Sequence, residues 1–262
     1  MHFAHLFVPL SPIKPQRKMK KLLTTLLMVL TVTAVCAQVR KTDTFQTKSG
    51  KNVTITCIKH ASLEINYNGT EIQVDPVSDA VKPVTNYYDF PKANIILITH
   101  QHQDHFDREA IAALRTSATT IYEPQSVYNM WFNGQPMHNG DSIQIADDIL
   151  LKAVPAYNTT AGREQFHPKG RDNGYILTLD GLRIYIAGDT EDIPEMADIK
   201  DIDIAFLPCN QPYTMTVNQL VSAAKIIRPK VLFPYHYSNT VIDQVTMFLG
   251  GTGIDVRIRD YK

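Results

Sequence analysis

The chain has 262 residues, 44% of them hydrophobic, and its 26 basic and 26 acidic residues leave a formal net charge of zero. This length and apolar content are enough for one large or two small domains with a substantial core. Because the charge is balanced, the basic surface typical of nucleic-acid-binding proteins is missing. We therefore expect no nucleic acid among its partners.

Residues 19–37 have the pattern of a secretion signal. Lys20 and Lys21 form a basic start, residues 22–35 form an apolar run, and residues 35–37 are small enough for cleavage. The apolar run is too short for a comfortable membrane span, so we predict none after processing. The pattern predicts an exported protein, periplasmic or secreted.

Two further predictions concern the same end of the chain. A secretion signal normally stands at the start of a chain, but residues 1–18 precede this one. We therefore predict that they are a non-native upstream extension and that Met19 is the true start. Cys36 permits a lipid anchor as the alternative to a soluble exported protein. Val35 before it fits poorly to a lipidation motif, so we favour the soluble form.

Residues 38–51 are predicted to be an N-terminal segment, and the strand-rich domain is predicted to span residues 52–262. Residues 53–58 alternate between apolar and polar side chains, as strands do. Residues 62–67 and 71–74 flank Asn68-Gly69, which is a strong signal for a β-hairpin. No composition shift divides the domain.

A dense group of histidines follows the apolar run at residues 95–98. His100, His102, Asp104 and His105 lie within six positions of each other. Alternate residues of an extended chain point the same way, so the side chains of His100, His102 and Asp104 can converge. Imidazole and carboxylate groups are ligands of zinc, manganese or iron. The group predicts a metal site, with zinc expected first.

The rest of the chain continues as strands and helices around one polar insertion at residues 157–173. Strands are predicted at residues 119–122, 142–145, 149–154, 174–179, 183–187, 202–207 and 231–233. Helices are predicted at residues 108–115, 125–132, 217–227 and 241–249. Two strand-rich blocks, each ending in helices, predict an α/β fold with packed sheets and helices outside.

Three more strands end in a residue that could bind a metal: Asp75, Asp189 and His236. Each of them alone would more often be a turn residue. Together with the histidine group they favour a two-metal site, in which ions lie ~3.5–4 Å apart.

With this order of motifs the chain resembles the metallo-β-lactamase fold hydrolases, from about residue 53 to the C-terminus. In detail it is similar to the branch that contains L-ascorbate-6-phosphate lactonase and N-acyl-phosphatidylethanolamine-hydrolysing phospholipase D. The segments that carry this likeness are His60-Ala61-Ser62, Asp75-Pro76, residues 185–190, Tyr213-Thr214-Met215 and Pro234-Tyr235-His236. The resemblance implies a four-layer αββα sandwich with the site at the strand ends.

The resemblance also implies roles for the ligand residues. His100 and His102 are expected to bind the first metal, while Asp104, His105 and His236 bind the second, and Asp189 bridges the two. It implies that a metal-bridged hydroxide attacks an ester, lactone or phosphodiester of a small-molecule or lipid-like substrate. Asp104 and Asp189 are the expected catalytic carboxylates.

One expected ligand of the first metal is missing. The family usually has a histidine at the place where this chain has Asn158, and the next histidine is His167, nine residues later. Three possibilities follow: His167 folds back as the ligand, Asn158 coordinates, or the first metal has only two histidines plus Asp189. We favour His167 as the ligand over the interpretation that it is a surface residue.

Further polar residues are expected near the site with less defined roles. His60 could contact a ligand or substrate or be a buried histidine bonded to backbone, and Asp75 could support a bound histidine or cap its turn. Tyr213 and Tyr235 could donate to a leaving group, although aromatic packing explains them equally. Cys57 and Cys209 could pair, but core packing of free thiols explains them as well.

We consider three functions. The leading one is an exported metal-dependent hydrolase. The alternatives are a β-lactamase-like amide hydrolase, which export would suit, and a non-catalytic metal-binding protein, which only Asn158 favours. The substrate and the oligomeric state stay open.

Overall fold

The computed structural model describes residues 40–261, and these residues form two seven-stranded sheets. The predicted extension at residues 1–18 and the predicted signal at residues 19–37 lie outside the described residues. Within the described range, no helix is long and apolar enough to cross a membrane.

The first sheet contains seven strands in chain order. They are β1 (Thr42–Gln46), β2 (Asn52–Lys59), β3 (Ser62–Tyr67), β4 (Thr70–Val74), β5 (Ile95–Leu97), β6 (Thr120–Pro124) and β7 (Gln135–Met137). Strands β1 to β4 are antiparallel, and β4 to β7 are parallel. The predicted hairpin at Asn68-Gly69 is confirmed, and both residues have the positive φ that a tight two-residue turn requires (49° and 86°).

The second sheet repeats this plan. Its strands are β8 (Ser142–Ala146), β9 (Ile149–Ala156), β10 (Asp172–Leu179), β11 (Leu182–Ile186), β12 (Ile204–Pro208), β13 (Val231–Tyr235) and β14 (Asp255–Val256), in the spatial order 14-13-12-11-10-9-8. Strands β8 to β11 are antiparallel, and β11 to β14 are parallel. Because β10 begins at Asp172, the predicted insertion at residues 157–173 is two residues shorter than expected.

The helices lie outside the sheets. They are α1 (Arg108–Leu114), α2 (Gln125–Trp131), α3 (Val217–Ile227) and α4 (Asp243–Phe248), with 3-10 turns at Tyr87–Asp89 and Pro194–Asp198. Ile95 and Leu97 of β5 join the core shared by both sheets, whereas Ile96 and the following residue Ile98 pack with Ile111 of α1. Alternating faces of one strand thus serve two layers. The predicted αββα sandwich is confirmed.

Both cysteines of the domain are buried free thiols, so no disulfide joins Cys57 and Cys209. The hydroxyl of Tyr261 donates to Cys57 Sγ at 3.0 Å. Burial raises the pKa of both thiols to about 12, so they pack as small apolar groups.

Strand β1 lies within residues 38–51, which the sequence separates from the domain. It pairs with β2 along its whole length. Asp43 in β1 also forms ion pairs with Arg259 (2.6 Å) and Arg257 (2.9 Å) near the C-terminus. The segment is therefore part of the first sheet and is tied to the end of the chain.

The substitution Asp43→Asn is expected to lower the free energy of unfolding by about 3 kcal/mol, because it leaves the buried Arg259 without its charged partner. Burial alone raises the pKa of Asp43, but hydrogen bonds and ion pairs with Arg259 and Arg257 outweigh it and hold the pKa below its usual value. A depressed pKa contributes stability that is present above the unfolded-state pKa and is lost as the pH falls through the folded-state value.

Urea unfolding of the wild type and the variant at several pH values measures this effect. The stability difference should be full near neutral pH and shrink in acid. The exposed Asp147→Asn is the control and should change little. An equal effect of both substitutions at pH 7 would contradict the prediction.

Candidate metal centre

The polar residues converge because several strands end at the same edge of the two sheets. His60 follows β2, Asp75 follows β4, Asp189 lies shortly after β11, and His236 follows β13. His60, Asp75 and His236 have positive φ values of 48°, 42° and 49°. Such values are uncommon for residues other than glycine and concentrate at functional sites. At each of these three residues the backbone adopts a left-handed conformation directly after the strand ends.

One group of ligand atoms comes from His100, His102 and His167, which lie within 4.8 Å of one another. His100 Nε2 and His102 Nδ1 are 3.0 Å apart, and the ring of His167 lies 4.9 Å from each of the other two rings. His167 is 1% exposed. The structure therefore brings His167 into the cluster and contradicts the interpretation of a surface histidine.

A second group of ligand atoms comes from His60, Asp104, His105 and His236, again within 4.8 Å. Asp104 Oδ2 lies 3.0 Å from His60 Nε2 and 3.6 Å from His236 Nε2. Burial and the charge of His236 lower the pKa of His60 to about 4. Because a carboxylate only accepts, His60 Nε2 is the donor in its hydrogen bond with Asp104.

Asp189 lies between the two groups. Its Oδ2 is 3.4 Å from His167 Nε2 and 3.3 Å from His236 Nε2, and its Oδ1 is 3.4 Å from His105 Nε2. The carboxylate is 3% exposed. Its position suits a bridging ligand between two ions.

The residues present fit divalent cations. Among the described residues, His105 Nε2, Asp189 Oδ1 and both ring nitrogens of His236 are buried without a hydrogen-bond partner. Buried polar atoms without partners are costly and rare in proteins. A cation coordinated by these atoms would remove that cost, and nitrogen and carboxylate donors suit zinc, manganese or iron.

Two histidines of the site, His105 and His167, contact a carboxylate through Nδ1, the ring nitrogen that faces away from the ligand groups. His105 Nδ1 is 2.8 Å from Asp75 Oδ2, and His167 Nδ1 is 3.3 Å from Asp172 Oδ2. Asp75 also accepts from the backbone N–H and the hydroxyl of Thr99, at 2.7 and 2.6 Å. Such partners orient a histidine and direct its other nitrogen toward a metal. Asp75 thus lies where it supports His105.

The charges of the site oppose the effect of burial on its histidines. Burial alone lowers the pKa of His105 and His236, but the charges of Asp189 and Asp104 raise these values to about 9 and about 10. The raised pKa values favour the imidazolium forms of His105 and His236 beside these carboxylates. A metal must displace these protons in order to bind.

The substitution Asp75→Ala is expected to weaken metal binding about 10–100-fold, because His105 loses the group that orients it. Metal affinity measured by competition with a chelator checks the effect. The control is Asp141→Ala, which removes an exposed carboxylate from a turn at His138. Wild-type affinity in the Asp75 variant would show that the carboxylate only caps its turn.

The remaining predicted residues lie in different surroundings. Asn158 is buried, and its Nδ2 donates to the carbonyls of Tyr213 (2.7 Å) and Arg163 (3.3 Å), which makes it a brace between loops. Tyr213 is 45% exposed and packs edge-on against Phe166. Tyr235 is fully buried. Tyr235 packs in the core shared by the two sheets.

Sequence reasoning missed two carboxylates near the site. Asp172, which contacts His167, is also held by Arg171 through Nε at 2.8 Å. Glu191 is fully buried beside the insertion. No spacing or motif marks either residue, although Glu191 lies only two positions after Asp189. The one signal in the sequence that could have marked them is a charged residue within an otherwise apolar segment that is expected to be buried.

Comparisons with known proteins show the family of the chain. Residues 54–236 match the model of the β-lactamase superfamily domain. A UPF0173 metal-dependent hydrolase of Ligilactobacillus salivarius is 32% identical over 190 residues, which cover 70% of this chain and 84% of that protein. A second one, from Bacillus licheniformis, is 36% identical over 164 residues, which cover 58% and 72%.

Two solved structures share the fold. A protein of Parabacteroides distasonis described as a metal-dependent hydrolase is 54% identical with a TM-score of 0.82, covering 85% of this chain and all of that one. Igni18, a metallo hydrolase of Ignicoccus hospitalis, is 24% identical with a TM-score of 0.66, covering 79% and 95%. The chain therefore belongs to the β-lactamase superfamily domain family and is a metal-dependent hydrolase with the metallo-β-lactamase fold.

Proposed function

We propose that this hydrolase uses two divalent metal ions, zinc in the first instance, to cleave an ester, lactone or phosphodiester in a small-molecule or lipid-like substrate. The observation that carries the proposal is the pair of ligand groups that share Asp189. One group offers three histidines and the other offers His60, Asp104, His105 and His236. Two such groups with a shared carboxylate match the needs of a two-metal hydrolytic site.

When bound, the ions would lower the pKa of a water molecule and stabilise negative charge on the substrate. The protein's own groups divide the remaining tasks. Asp189 is buried and held among four histidines, so it binds and spaces the ions. Asp104 is 37% exposed at its side chain, so its carboxylate can orient a water. His60 donates to Asp104 Oδ2 and fixes that carboxylate.

A non-catalytic role is favoured only by Asn158 standing in place of a histidine. The ligand atoms of His100, His102 and His167 lie within 4.8 Å of one another, which supports His167 as the third imidazole and speaks against a non-catalytic role. Among the residues that the structure describes, no contact in the site favours cleavage of a β-lactam amide.

We also propose that the protein acts after export. The support is the basic start, apolar run and small residues at positions 19–37. N-terminal sequencing of protein from the native host tests this. A mature chain that begins at Gln38 supports export as a soluble protein. An acylated Cys36 would indicate a lipid-anchored exported protein instead, and an uncleaved start would contradict export.

Hydrolysis assays on metal-reconstituted protein test the proposed chemistry. Metal-free protein is loaded with zinc, manganese or iron, and the bound ions are counted. A panel of lactones, carboxylic esters and phosphodiesters is then assayed, with nitrocefin as the probe for amide cleavage. We expect two ions per chain and turnover of one of the first three classes. No bound ion, or turnover of nitrocefin alone, would overturn the proposal.

A further inference from the structure

The insertion that supplies His167 has no helix or strand of its own. It connects β9 to β10 through turns, from Tyr157 to Arg171. Loops without regular structure are ordinarily mobile, because few buried contacts hold them. Yet His167 is nearly fully buried among His100 and His102. Specific contacts must therefore hold the loop against the site.

Glu191 makes the contacts that anchor the start of this loop. It is fully buried. Its Oε2 accepts from the backbone N–H of Thr159 (2.8 Å), the hydroxyl of Thr159 (3.0 Å) and the backbone N–H of Thr160 (2.7 Å). Hydrogen bonds to a charged acceptor are about twice as strong as neutral ones. One carboxylate oxygen thus binds three donors of the loop.

The backbone around Glu191 adds to this anchor. Its own N–H donates to the carbonyl of Tyr157 at 3.0 Å. The hydroxyl of the preceding Thr190 accepts from the backbone N–H of Tyr157 at 3.1 Å. The segment just after Asp189 is therefore paired with the first residues of the loop.

A short chain of contacts leads from this anchor to His167. The backbone N–H of Asn158 donates to the carbonyl of His167 at 2.9 Å. Asn158 directly precedes Thr159, which Glu191 binds. The guanidinium of Arg163, from the middle of the loop, lies 3.8 Å from Glu191 Oε1. Glu191 thus contacts the start and the middle of the turn that returns His167 to the site.

We propose that Glu191 is a positioning residue, whose carboxylate holds the insertion so that His167 stays among the ligands of the first metal. This inference rests on the proposed two-metal function. It explains how the chain keeps a third imidazole although the histidine has moved nine positions along the sequence. Glu191 follows Asp189 by two positions, so the bridging carboxylate and the anchor of the loop come from the same segment.

The variant Glu191→Gln tests the proposal with little change in volume. Its amide oxygen can still accept from the loop, but the charge is lost and the NH₂ group meets N–H donors. The matched control is Glu195→Gln in the same segment. Glu195 accepts from the hydroxyl of Tyr157 (2.8 Å) and from the ammonium of Lys169 (2.8 Å), and it binds neither Thr159 nor Thr160.

Two measurements are made on the full chain. Titration with Zn²⁺ against a chelator gives the affinity for each ion, and hydrogen–deuterium exchange of metal-free protein reports on peptides from residues 158–171. For Glu191→Gln we expect about 10–100-fold weaker binding of one ion, wild-type binding of the other, and faster exchange in the loop. Glu195→Gln should match the wild type in ion binding.

The outcomes separate this inference from the proposed function. Unchanged exchange together with unchanged binding of both ions would overturn it. Faster exchange with unchanged binding would overturn it too, since Glu191 would then be a structural anchor only. If the wild type binds no ion, the two-metal function fails, and exchange in the metal-free loop alone decides whether Glu191 holds His167.

Discussion

Replacing Asp189 with asparagine is expected to lower turnover and the affinity for metal by more than about 100-fold, since residues that merely support ligands already cost 10–100-fold when lost. The carboxylate lies within 3.9 Å of nitrogens from His100, His105, His167 and His236. Asparagine keeps the shape but carries no charge, and one of its two ends is a donor. In the proposed two-metal site, both ions would lose a ligand at once.

Metal counting by atomic emission after dialysis, together with chelator competition, measures this loss. The expected content falls from two ions per chain toward none. Asp201→Asn is a suitable control, because Asp201 is exposed and its positive φ of 56° is also accessible to asparagine. Retention of two tightly bound ions in the Asp189 variant would show that the carboxylate does not bridge them.

The substitution His167→Ala is expected to remove one ion and leave the other. His167 contributes to the group with His100 and His102, whereas the group of His60, Asp104, His105 and His236 does not include it. We expect about one ion per chain and a loss of turnover of more than about 100-fold, because the bridging site then lacks one of its ions.

His138→Ala is the control for this variant, since His138 lies in an exposed turn with 69% of its side chain accessible. Two ions per chain and unchanged turnover in the His167 variant would mean that His167 is not a ligand. The first metal would then be held either by Asn158 or by two histidines and Asp189. Metal counting on Asn158→Ala distinguishes these two arrangements, although Asn158 also braces two loops.

Much of the fold follows from local patterns. The alternation at residues 53–58, the Asn68-Gly69 turn and the helix Val217–Ile227 match the structure closely. Three short edge strands were missed: β1, β7 and β14. Strand β7 reads Gln-Pro-Met and β14 has two residues, so neither has a periodic pattern to detect. Such strands form because a neighbouring strand offers unpaired backbone groups, which is a property of the assembled sheet.

The roles of individual residues likewise depend partly on local sequence and partly on the assembled fold. The sequence predicts Asp75 and His60 near the site without fixing what they do, and the structure places both against ligand residues. Tyr235 also stands at a strand end but faces the core. Adjacent residues of a strand point to opposite faces, so a position at a strand end alone cannot tell which face meets the site.

By itself, the sequence determined the fold class and the metal chemistry, because His100 to His105 and the ligand residues after three other strands are local patterns that few other structures require. Only the tertiary structure decided what completes the first group of ligands. His167 reaches His100 and His102 because Asp172 orients its ring and Glu191 holds its loop. These contacts join residues brought together by the packing of two sheets, and no pattern along the chain records them.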